Sequence, residues 1–279
     1  MKSPVEQRWD ELRYEWANRV FNPRLRFAVL AAHPDDETIG ASVPLSRCNQ
    51  AHVVYLTDGA PRDQKLWPAK FRGSREDYAR CRREEAEKAL AHVSIPRENI
   101  EWLGGVDQDA VFDVARLVGR LTECLVSHKP DVLITHAYEG GHPDHDTAAL
   151  IASIALPRSA QECLLLEMTS YHAKDGHCVT GAFLDPDSLR ECAFELSEAD
   201  RVRKQAMFRA YGSQKLVLEN FSLDCERLRL APVYDFTSPP QQGSPWYEIL
   251  GWEMTGKRWR ATVAEALALT GEVHASHSA

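Results

Sequence analysis

The chain has 279 residues and a formal charge of −8 at pH 7, which argues against nucleic acid or an anionic membrane surface as its main partner. Apolar residues make up 44% and charged residues 27%, the balance of a folded globular chain, and no apolar run approaches the roughly 20 residues that span a bilayer. The first ten residues lack the apolar core of a signal peptide, and the seven cysteines are odd in number and widely spaced, so the reading is a cytoplasmic protein with reduced thiols and no transmembrane segment.

Residues 5–20 predict a helix, with Trp9, Leu12, Trp16 and Val20 spaced to share a face. Asn22-Pro23 ends it, and residues 27–30 read as a short buried strand that delivers His33-Pro34-Asp35-Asp36-Glu37 at its tip. A second strand, 52–57, closes at Asp58-Gly59-Ala60-Pro61, and 62–74 is a polar surface loop. A long helix is expected over 74–92, with Arg82-Arg83-Glu84-Glu85 as a solvated, ion-paired face. Strand 100–103, closed by Gly104-Gly105, precedes an amphipathic helix over 111–127. Strand 131–135 then runs into His142-Pro143-Asp144-His145 and a helix over 147–156. Strand 164–169, a loop over 171–189, strand 191–196, a helix over 197–210 and a final helix over 261–269 follow, with 216–255 broken by prolines. His52, His92 and His128 have no functional role in this reading, and His172 and His177 are expected to be solvated.

Strands alternating with helices predict an α/β fold: a mostly parallel sheet with helices on both faces, plus a smaller C-terminal α+β extension. The division is 1–215 for the core and 216–279 for the extension. In open parallel sheets, ligands bind beyond the carboxyl ends of the strands, where strand order reverses. Both His/Asp motifs follow predicted strands, the first and the fourth. If those strands are neighbours across the reversal, the two loops share one crevice.

Together the loops offer His33, Asp35, Asp36, His142, Asp144 and His145. Imidazole and carboxylate donors without thiolate suit zinc, iron, nickel or manganese rather than calcium. Three protein ligands with one open position is the arrangement a hydrolytic zinc uses, a spare carboxylate can take a proton from its water, and a second imidazole can protonate a leaving amine. Spacing alone leaves open which of Asp35 and Asp36 is the ligand.

Ala32-His33-Pro34-Asp35-Asp36-Glu37 together with Gly141-His142-Pro143-Asp144-His145 resembles the LmbE-like, or PIG-L, zinc-dependent N-deacetylases. The resemblance implies a Rossmann-like sandwich over about residues 25–215. It also implies removal of an acetyl group from an N-acetylated amino sugar or its conjugate, of N-acetylglucosaminyl type. His33, Asp36 and His145 would hold Zn2+, with Fe2+ or another divalent ion as the alternative. Asp35 would be the general base, His142 would stabilise the tetrahedral intermediate or protonate the amine, and Asp144 would orient His142. Arg82 matches a sugar-contacting arginine, and Asp107 matches more loosely an acid that binds sugar hydroxyls. The late Lys204…Ser213-Gln214 stretch is also similar. Tyr138, four residues before His142, is a candidate donor to the oxyanion. The expected partner is a small amino-sugar substrate, and a homo-oligomer is compatible with the sequence. Two alternatives stay open: a metal-dependent phosphoesterase, and a non-catalytic metal-binding member of the fold.

Overall fold

The computed structural model describes residues 2–186 and 190–270. In chain order its elements are α1 Pro4–Ala17, β1 Arg26–Ala31, α2 Asp36–Gly40, α3 Ser42–Arg47, β2 Gln50–Thr57, α4 Arg75–Ala91, β3 Ile100–Gly105, α5 Val114–His128, β4 Val132–His136 and α6 Pro143–Ser159. There follow β5 Leu164–Met168, β6 Tyr171–Lys174, β7 His177–Thr180, β8 Glu191–Glu195, α7 Glu198–Ala210, α8 Lys215–Leu218, β9 Cys225–Leu230, α9 Trp246–Ile249 and α10 Gly256–Thr270.

Seven strands form one sheet in the order β3-β2-β1-β4-β5-β9-β8. The first five are mutually parallel, while β9 runs antiparallel to both β5 and β8. The chain leaves β1 towards β2 and β3 and returns on its other side through β4, so strand order reverses between β1 and β4. This is the expected α/β architecture, with the expected adjacency of the first and fourth strands.

The central strands are apolar throughout because both their faces are covered. Phe27, Val29 and Ala31 of β1 join a core shared with α1, α4 and α7, whereas Ala28, Leu30 and Ala32 join one shared with α5, α6 and α10. Phe27, Val29 and Leu30 among them, fully buried, each contribute about 1.5–3 kcal/mol. Helix starts carry their own signals. Ser74 with Asp77, and Ser197 with Asp200, form reciprocal caps that satisfy the free N–H groups of α4 and α7.

Three differences from the sequence reading concern the site. First, α6 begins at Pro143, four residues before the expected Thr147, because His142 caps it and Pro143 fits the first helical position. Second, the presumed loop over 171–189 contains the hairpin of β6 and β7. Third, the 216–279 stretch supplies β9 to the main sheet, between β5 and the edge strand β8. Among the described residues no helix is long and apolar enough to cross a membrane, and all seven cysteines are free.

Candidate metal centre

Just past β1, Thr57 donates both its N–H (3.0 Å) and its hydroxyl (2.9 Å) to the Ala32 carbonyl, and Ala32 N–H donates to His136 Nε2 at 3.1 Å. The first motif is thereby tied to the ends of β2 and β4. Asp35 then takes φ +126°, a conformation an aspartate enters only when its surroundings enforce it. Its N–H donates to Glu37 Oε2 (3.1 Å), and Glu37 is itself held by the hydroxyls of Tyr211 (2.6 Å) and Thr38 (2.5 Å). Glu37, expected from the sequence to act only as support behind the site, is therefore the brace for the turn.

The strained turn sends the two aspartates in different directions. Asp36 lies among three imidazoles, with Oδ2 3.3 Å from His33 Nδ1 and 3.4 Å from His136 Nε2, and Oδ1 3.3 Å from His145 Nε2. Asp35 Oδ2 accepts from the Arg82 guanidinium at 3.1 Å. Arg82 is 2% exposed and also donates to the Pro34 carbonyl, so it is a cavity wall and not part of a solvated face. Gly59 makes room for it: at φ +62°, an added Cβ would fall 2.9 Å from Arg82 Nε and 2.8 Å from the Pro34 ring.

The second motif arrives on the first turn of α6. Asp146 Oδ1 accepts the N–H groups of Glu139 (3.2 Å) and Gly140 (2.9 Å), shaping the loop before His142. Imidazole nitrogens of His33, His142 and His145 lie within 4.8 Å of one another, and so do donors of His33, Asp107, His142 and Asp144. Asp107 Oδ1 is buried without a hydrogen-bond partner, 3.3 Å from His33 Nε2 and 3.7 Å from His142 Nε2. This mixed nitrogen and oxygen set, with a buried oxygen left over, fits a divalent ion of the zinc or iron type.

Two expected roles move. The Asp144 carboxylate sits 4.0 Å from His142 Nδ1, while its Oδ2 is 3.1 Å from His33 Nε2 and accepts the Gln108 N–H at 2.6 Å. It steadies His33 and the 107–110 loop, and His142 Nδ1 is instead capped by the Asp144 backbone N–H at 3.1 Å. A neutral His142 then carries its proton on Nε2, the nitrogen facing Asp107. Tyr138 turns away altogether: its hydroxyl donates to the Ser238 carbonyl (2.8 Å) and its ring packs on Trp259 in the core. Two further histidines lie close by. His136, the last residue of β4, stacks on His145 at 4.0 Å with its Nε2 occupied by Ala32, and His172 is buried beside Glu139 rather than solvated.

Burial raises the Asp35 carboxyl to about 7 despite the opposing pull of Arg82. Burial acts on Asp36 too, but the His145 and His136 imidazoles outweigh it and hold that carboxyl well below the usual range. Burial, then His33 and His145, push His142 well below an ordinary imidazole, so it is neutral. Burial is resisted at His33, where Asp107, Asp144 and Asp36 keep the proton on. Neighbouring aspartates are thus split into one that sheds its proton readily and one poised near neutrality.

These groups face a cavity of about 450 Å³ beyond the carboxyl ends of β1 and β4, lined by His33, Asp35, Asp36, Arg82, Asp107, His142 and His145. Residues 28–156 match the family model described as PIG-L, GlcNAc-PI de-N-acetylase. Over this stretch the chain is similar to the PIG-L family. A mycothiol S-conjugate amidase of Streptomyces coelicolor is 28% identical over 160 residues, 49% of this chain and 53% of that one, so the chain spans about half the length of this curated relative. The fold recurs in the A40926 pseudoaglycone deacetylase, with TM-score 0.56 and 17% identity over 74% of this chain and 97% of that one. It recurs also in the 4-carboxy-2-hydroxymuconate hydratase of Pseudomonas putida, with TM-score 0.51 and 15% identity over 76% and 97%. A fold shared by a deacetylase and a hydratase leaves the reaction to be argued from the site.

The matched stretch holds every group converging on the centre, while part of the cavity wall comes from outside it, from Thr180, Val217, Phe221, Trp246, Leu250 and Trp252. The two regions meet at Gly140-Gly141. Gly140 accepts the Trp246 N–H at 2.7 Å, and an added Cβ on Gly141 would fall 1.9 Å from the Tyr171 carbonyl. Gly141→Ala is therefore expected to shift His142 and His145 and weaken metal binding by about 10–100-fold, the usual cost of disturbing a ligand's support. Titration with zinc reads this, and unchanged affinity would show that the loop yields without moving its histidines.

Proposed function

We propose that this chain is a metal-dependent hydrolase that deacetylates an N-acetylated amino sugar joined to an apolar group. The observation that carries the reading is the division of labour at Asp35 and Asp36: one carboxylate lies among three imidazoles, while the other, beside it, is held off by Arg82 and left to handle protons. His33, Asp36 and His145 would hold the ion, Zn2+ or a like divalent metal. Such an ion, when bound, acidifies water and polarises a carbonyl.

The remaining steps belong to the chain's own side chains. Asp35, raised to about 7, accepts a proton from the attacking water and returns it to the leaving nitrogen. Arg82 fixes the carboxylate in position and keeps its proton affinity from rising further. His142, neutral and with its proton on Nε2, donates a hydrogen bond to the oxygen that becomes negative at the tetrahedral stage. Of the two roles left open for His142, a neutral donor supports the first. Asp107, beside His33 and His142, is placed to accept from a sugar hydroxyl.

The cavity wall supports the conjugate. Leu66, Val217 and Leu250 remain 38%, 47% and 47% exposed along it, and Trp252 stands edge-on to His142 with ring centroids 5.0 Å apart. Apolar surface left on a cavity wall is where an apolar group gains affinity. Acetate release from a panel of N-acetylglucosamine conjugates, with the zinc-loaded protein, tests the reading. A chelator is expected to abolish release, and conjugates with aromatic or alkyl groups are expected to outrun the free sugar in kcat/KM. Trp252→Ala is expected to raise KM for an aromatic conjugate by about 10-fold or more, as loss of a buried aromatic contact does, with kcat little changed. Phosphate release from esters in place of acetate would overturn it in favour of a phosphoesterase, and no release of either would favour a binding protein.

A further inference from the structure

The geometry points to a second divalent-metal site, built by His52, Glu101 and His128 at the end of the sheet opposite the candidate centre. His52 lies near the start of β2, Glu101 near the start of β3, and His128 in the last turn of α5. The cavity opens at the other ends of those strands. Thr57 lies five residue steps along β2 from His52, roughly 16 Å of extended chain, so the two sites share no ligand.

Register brings the three together. Val54 pairs with Glu101, and His52 is two residues before Val54, so His52 and Glu101 project from the same face of the sheet, the one α5 covers. A donor atom from each of His52, Glu101 and His128 lies within 4.8 Å of the others. The two imidazole rings stack with centroids 3.7 Å apart, and His128 Nε2 contacts Glu101 Oε1 directly. An ion pair between Glu101 and His128 explains only part of this, because His52 Nδ1 is buried with no hydrogen-bond partner. A bound ion would complete its coordination.

Cys124 adds a further donor. It lies one helical turn before His128 on α5, and its thiol donates to Glu101 Oε2 at 2.8 Å. Two imidazoles, a carboxylate and an adjacent thiol select zinc, cobalt, nickel or copper over magnesium and calcium. The site is half-buried and joins two strands to the end of a helix, so an ion there would clip the C-terminal turn of α5 to β2 and β3. The sequence reading, which gave His52 and His128 no role, could not see it because the three ligands come from three elements.

The test counts ions in the full-length protein after loading with Zn2+ and exhaustive dialysis. His52→Ala/His128→Ala is expected to retain one zinc fewer per chain than the wild type, while His145→Ala loses a different one and the combined variant loses both. Glu101→Gln, which keeps shape and fold, is expected to show the same missing ion. Cys124→Ser is expected to keep the ion with affinity lowered by about 10–100-fold. Zinc is also expected to raise the melting temperature of His145→Ala and to leave that of the combined variant unmoved. Equal zinc content in the wild type and in both the double-histidine and Glu101→Gln variants would overturn the proposal. None of these readouts involves acetate release, so the outcome is independent of the proposed reaction.

Discussion

Asp35→Asn is expected to be purified with its metal and to release acetate about 10²–10⁴-fold more slowly, the range over which a positioned base acts. Asp36→Asn is expected to be purified without the ion. The contrast follows from what each carboxylate touches. Both oxygens of Asp36 face imidazoles that would share the ion, and both are needed. Asp35 faces Arg82, and an amide oxygen can still accept that hydrogen bond. Asparagine also tolerates the positive φ that position 35 requires, so the turn survives. Metal analysis of both purified variants, with kcat/KM for the first, decides the matter. Equal metal loss in both would sink the assignment of separate roles.

Much of this was legible in the chain because the signals were local. The apolar strand before His33, the capped start of α4 and the proline after His142 each mark their element within a few residues. Bringing the two motifs together needed only the rule that a parallel sheet binds ligands where its strand order reverses. What stayed hidden depends on residues far apart in sequence. The choice between Asp35 and Asp36 rests on Arg82, 47 residues downstream in a run that reads as a surface charge cluster. Asp144 serves His33 because the 107–110 loop supplies the N–H groups that turn its carboxylate that way. Tyr138 was misplaced because the Ser238 carbonyl that claims its hydroxyl lies 100 residues on. β9 reads Cys-Glu-Arg-Leu-Arg-Leu, and a charged residue at an inward position argues against an interior strand until its partner is known.

That partner is Lys204, and its loss is expected to be the most destabilising single change considered. Lys204→Met should cost about 3–5 kcal/mol, the toll of leaving one member of a buried ion pair alone. The Lys204 and Glu226 side chains are 1% and 0% exposed, with Nζ 2.8 Å from Oε1. Lys204 Nζ also donates to the Ile39 carbonyl at 2.7 Å, while Glu226 accepts the Val43 N–H at 2.9 Å and the Ser42 hydroxyl. Methionine keeps the aliphatic stem, so packing is nearly conserved and the loss is electrostatic. Removing the stranded charge as well, in Lys204→Met/Glu226→Gln, is expected to recover much of the stability, because the remaining amide can still donate or accept. Urea denaturation of the two variants measures both terms, and a loss under about 1 kcal/mol in the single variant would show that the pair behaves as a surface ion pair does. The consequence reaches the candidate centre. The Ile39 carbonyl belongs to α2, a five-residue helix that begins at Asp36, and so short a helix holds its place only through such contacts. Lys204→Met is therefore expected to weaken metal binding along with the fold, and a variant with normal zinc affinity would show that the pair supports the sheet alone.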